Sequence, residues 1–137
     1  MISFEEIRVI TVVYLAVFLP LIIYFKNKDK LPNWVPTFYI VGVVVCSLGW
    51  ELWFSYGWIS GDGVDLRRSE SLNTWLPKDI NWLMNSMGDA GTVLLGGTWL
   101  MWVTHKKDQI VFKEWKWSGF CVLLTWCVTQ NLSLIHI

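Results

Sequence analysis

Residues 34–58 read WVPTFYIVGVVVCSLGWELWFSYGW, twenty-five positions with a single charge, Glu51. About 20 apolar residues in a helix span a hydrocarbon core of about 30 Å. The stretch therefore reads as a membrane span. Pro32 and Pro36 suit its start, because proline is tolerated in a first helical turn. Trp34 and Trp58 sit near its ends, where aromatic anchors meet the interface. The glutamate is the exception, since an acid near a helix centre in lipid costs roughly 2.5–3.5 kcal/mol. Such a residue usually faces a cavity or a partner.

Three further stretches repeat the pattern. Residues 6–25 are rich in Ile, Val, Leu and Tyr, with Pro20 in the last third, and Lys26, Lys28 and Lys30 close them. Residues 80–104 follow Pro77 and Asp79 and hold one internal charge, Asp89. Their Gly88, Gly91, Gly96 and Gly97 offer small surfaces for close helix approach. Residues 117–131 form a fourth apolar run. The expectation is an all-α, polytopic membrane helix bundle, a single domain over 1–131 with four spans. Val64 to Leu76, in the long polar connector 60–79, suggest a short helix lying on a membrane surface, and Gly61-Asp62-Gly63 a turn. Asp62 and Asp65 do not have the spacing of an EF-hand loop.

Composition agrees with a membrane setting. Hydrophobic residues make up 54% of the chain, charged ones 16%, and mean hydropathy is +0.43; soluble domains carry about 25% charged residues. Formal net charge is zero, which leaves no electrostatic case for nucleic acid. Cys46, Cys121 and Cys127 lack disulfide-framework or zinc spacing and read as small buried hydrophobes. No basic n-region precedes the first apolar run, so it reads as a span and not a cleavable signal. Lys and Arg number seven in the first and third connectors, against four at the N-terminus and in the second. The positive-inside rule then places the N-terminus and the 60–79 connector on the non-cytoplasmic side. The membrane implied is a bacterial or organellar inner membrane or the endoplasmic reticulum.

The two acids have polar company. Asn81, Asn85 and Asp89 are spaced by four, and Thr92 extends their helical face. Ser47, Glu51 and Ser55 repeat that spacing. Both acids fall roughly 10–14 Å in from the membrane face beside the 60–79 connector, by helical rise. Packed face to face, the two stripes would make a polar pocket. Asparagine amides orient a carboxylate or a ligand, and two close carboxyls share a proton, making a general acid or a proton carrier. The competing reading is interhelical glue, worth about 0.6–2 kcal/mol per polar contact.

Interfacial belts explain most of the eleven tryptophans. Trp50 and Trp53 flank Glu51 and suit either packing or a cation held against an aromatic face. No nucleotide loop, metal-binding pair or nucleophile elbow occurs, so no cofactor is expected. His105 falls at an interface, and His136 lies in the tail.

Cys46-Ser47-Leu48-Gly49-Trp50-Glu51-Leu52 is similar to the second-helix region of integral-membrane terpene cyclases of fungal meroterpenoid pathways. The resemblance covers seven residues. It implies that Glu51 is an acid protonating an epoxide or alkene. That family has more helices and a second acid near its C-terminal end, to which Asp89 does not correspond. Separately, Leu132-Ser133-Leu134-Ile135-His136-Ile137 resemble the translation of a sequencing adapter. This implies a fragment whose native sequence stops near Asn131.

Three functions fit these residues. One is an enzyme or binding protein for a lipid or isoprenoid, with Glu51 as acid and Asp89 assisting. The others are a proton- or cation-coupled transporter and an assembly subunit whose acids pair with partner helices. The bilayer is the one partner common to all three.

Overall fold

The computed structural model describes residues 1–57 and 62–135, the last five by backbone alone. Trp58, Gly61 and His136 lie outside the described residues, and so do the side chains of the tail.

The described residues form helices joined by turns, with no strand among them. Helix α1 runs Phe4–Asn27, α2 Val35–Leu48, α3 Trp50–Tyr56 and α4 Glu70–Trp75. Helix α5 runs Lys78–Ala90 and passes through a π-helical turn, Gly91–Leu95, into α6, Gly96–Thr104. Helix α7 runs Trp117–Ile135. Short 3-10 turns occupy Val64–Leu66 and Gln109–Phe112.

Sequence fixes several of these boundaries locally. Ser3 Oγ accepts from the Glu6 amide while Glu6 accepts from the Ser3 amide, a reciprocal cap that starts α1. Pro36 falls in the first turn of α2. Gly57, at φ +81°, ends α3 in the left-handed region that glycine enters at low cost.

The four-span arrangement is not what the structure supports. Among the described residues only α1, twenty-four residues long, is long and apolar enough to cross a membrane. A second candidate exists only if α2 and α3 count as one broken span, bent by 44°. That break falls at Gly49, inside the stretch that reads as one uninterrupted helix. A Cβ there would stand 2.9 Å from the Val45 carbonyl oxygen. The third expected span divides into α5, the π turn and α6, and α5 carries Lys78, Asp79, Asn81, Asn85 and Asp89. Helix α7 falls short over its described residues. Without four crossings, the Lys and Arg count no longer assigns sides.

Other expectations shift as well. Val64 to Leu76 form a 3-10 turn and the short α4, because the chain turns between them and aims Arg68 inward. Cys121 is exposed. Trp102 is no interfacial anchor: it is 2% exposed and packs with Leu31, Val35 and Leu95.

Helix α5 is the centre of the packing, with α1, α2 and α3 all resting on it. Gly88 and Gly91 admit α1 closely, facing Ala16 and Pro20. Helix α6 lies against α7. The outer faces are unusually apolar. Of α1, only Val17 and Pro20 are buried, while Leu15, Phe18, Leu19, Ile22 and Phe25 are exposed. Ile40, Val41, Val44, Val45 and Leu48 are likewise exposed on α2.

Candidate functional site

The bend at Gly49 sets α3 against α5, which brings the two acids together. Glu51 is in the first turn of α3 and 5% exposed. Its carboxyl meets that of Asp89 and the carboxamide of Asn85. Asp89 is only half-buried. Two carboxyls brought this close favour sharing one proton over ionising together. Oε2 of Glu51 is buried without a hydrogen-bond partner. Leaving such an atom unsatisfied costs about 1–3 kcal/mol.

One turn further along the same seam, Asn81 Nδ2 donates to Ser55 Oγ at 3.1 Å. Both side chains are buried. Asn81 Oδ1 accepts from Arg68 at 3.0 Å. Arg68 also donates to Asn73 Oδ1 at 2.5 Å and to the Leu76 carbonyl. Its burial moves the guanidinium below its ordinary range. The arginine thus ties the connector to the end of the α3–α5 seam. Arg67 adds a second tie, donating to the Phe54 carbonyl and lying over the Phe54 ring. Tyr56 OH donates to Asp79 Oδ1 at 2.5 Å. On the other side, Glu6 accepts from Ser69 and Ser71, and Tyr14 OH donates to the Trp75 carbonyl. The connector therefore lies across the seam and caps it.

The remaining sequence candidates divide. Ser47 donates to its own helix at the Val44 carbonyl, and its carbonyl accepts from Trp82 Nε1 at 2.7 Å, which holds α5 on α2. Thr92 Oγ1 donates to the Gly88 carbonyl at 2.8 Å. Trp50 and Trp53 are 62% and 41% exposed on the outside of α3. No aromatic cage forms around Glu51 from these two.

Two participants were missed. Cys46 comes from α2 to within electrostatic range of both acids. Its separation of five from Glu51 hides this, because Gly49 bends the chain between them. Arg68 was the other. Its signal was available: Arg67 and Arg68 are two of the three arginines in the chain. Among the described residues no group of three His, Cys, Asp or Glu is placed to hold a metal ion.

No family model, no curated protein and no solved structure matches the chain.

Proposed function

We propose that α1, joined by the bent α2–α3 segment, holds this protein in a lipid bilayer, and that the Glu51–Asp89 pair is a proton-bearing site for a lipid or isoprenoid. The observation that carries the reading is the meeting of the two carboxyls between α3 and α5, with Oε2 of Glu51 buried and unpartnered. Acids in such a place are an expensive way to join two helices. The exposed apolar faces of α1 and α2 support the setting, since a helix in a soluble core buries a broad stripe.

The roles follow from exposure. Asp89 is the half-buried member, so a ligand arriving along α5 meets it first. Glu51 lies deeper and acts as the acid. Its proton passes to a basic oxygen or alkene carbon of the ligand. Asn85 then stabilises the carboxylate left behind by donating a hydrogen bond to it. Arg68, Asn81 and Ser55 hold the two helices in register one turn away.

Membranes containing the protein are incubated with an epoxidised farnesyl ether, and ring-opened or cyclised product is followed by mass spectrometry. Glu51→Gln abolishes turnover at unchanged expression, and Asp89→Asn lowers it at least tenfold. Full activity in Glu51→Gln removes the glutamate from the mechanism. Absence of product with the unaltered chain removes this substrate class.

A further inference from the structure

A crevice of about 390 Å³ lies between α1, the π turn with α6, and α7, away from the paired acids. Its walls are almost wholly apolar, with Leu15, Leu19 and Ile23 on one side and Trp99, Leu100 and Trp126 on the other. The π turn explains how the Trp126 wall became apolar. Thr92 lies in that turn, and Trp126 Nε1 donates to its carbonyl at 2.6 Å. The indole N–H is thereby satisfied and asks nothing of an occupant. Gly96 keeps the approach open, since a Cβ there would stand 3.3 Å from Trp126 Nε1.

Shape and position then select the occupant. Along α1 the crevice runs from Val12 to Ile23, a rise of about 16 Å. That is about half of a 30 Å hydrocarbon core, the depth of one leaflet. Leu15 and Leu19 are both half-exposed on the apolar face of α1, so the crevice opens sideways onto the surface assigned to lipid. The polar exceptions are Thr92, whose hydroxyl donates to the Gly88 carbonyl, and Gln130. We infer that the crevice is a binding site for one acyl chain of a bilayer phospholipid. The inference rests on the bilayer setting proposed above and is independent of the proton chemistry.

The full chain, purified in detergent, is titrated with a phosphatidylcholine carrying a diazirine on one acyl chain. It is then irradiated, and adducts are mapped by mass spectrometry. Adducts on the crevice residues of α1 and α6 saturate at one lipid per chain. Leu15→Trp and Leu100→Trp fill the space from opposite walls, and each lowers that adduct at least fivefold in protein whose circular dichroism is unchanged. If one variant fails to fold, the other carries the test. Adducts spread without saturation over Phe18, Ile22 and Phe25 mean annular lipid and overturn the site. Displacement by farnesol at tenfold lower concentration than by unlabelled phosphatidylcholine overturns the acyl occupant. Glu51→Gln leaves the adduct unchanged, which separates failure of the acid chemistry from failure of this site.

Discussion

Glu51 and Asp89 owe their relationship to a single glycine. Glu51 begins a new short helix because the chain breaks at Gly49, and the break turns its carboxyl toward α5. Two side chains in direct contact behave non-additively when replaced, with coupling of about 0.5–3 kcal/mol. Glu51→Gln, Asp89→Asn and the double variant form a cycle to be read by thermal unfolding in detergent. Coupling in that range is expected, because either single change leaves the partner carboxyl with an altered hydrogen-bond complement. Strictly additive effects would mean that the two carboxyls do not share a proton. Removing the Asn81 carboxamide lies outside that cycle, because its bonds go to Ser55 and Arg68 one turn away.

At the scale of elements, the loop after α6 carries an unusual conformation that a substitution can test. Lys106 and Lys107 both sit at φ +58°. The Lys107 amide donates to the Trp102 carbonyl at 2.9 Å and closes the helix there. Left-handed backbone costs a non-glycine residue about 1–2 kcal/mol. Lys106→Gly should therefore raise stability, by about 0.5–1 kcal/mol once the larger entropy loss of glycine is set against it. An unchanged or lowered melting temperature would show that the lysine side chain supplies a compensating contact. Legibility in the sequence follows the same division between local and non-local causes. The Ser3–Glu6 cap, the proline at the start of α2 and the spacing of Asn81, Asn85 and Asp89 are local, and sequence periodicity finds them. The bend at Gly49 and the π turn at Gly91–Leu95 are responses to tertiary packing. Hydropathy averages over both, and so it reads two uniform spans where the chain bends in one and passes through a π turn in the other. Cys46 and Arg68 were hidden for the same reason, since one reaches the acids across a bend and the other through a folded connector.

The whole molecule raises a question of solvent. Leu15, Phe18, Leu19, Ile22 and Phe25 are exposed on α1, and Val41, Val44 and Val45 are exposed on α2. The charged side chains are concentrated elsewhere, in the connectors around Lys26–Lys30, Asp62–Arg68 and Lys106–Lys116. Soluble monomers rarely leave contiguous apolar patches larger than a few hundred Å² uncovered. In water this surface would drive association, whereas in hydrocarbon it costs nothing to expose. The expected behaviour on fractionation follows: the chain sediments with membranes, resists extraction by alkaline carbonate and is released by detergent. Replacing Leu15 and Phe18 by Lys should shift much of it out of the carbonate-resistant pool, because each charge near a helix centre costs roughly 2.5–3.5 kcal/mol to insert. Recovery of the unaltered chain as a soluble monomer would instead make α1 a partner-binding helix. The acid pair would then have to be explained by chemistry in an aqueous assembly.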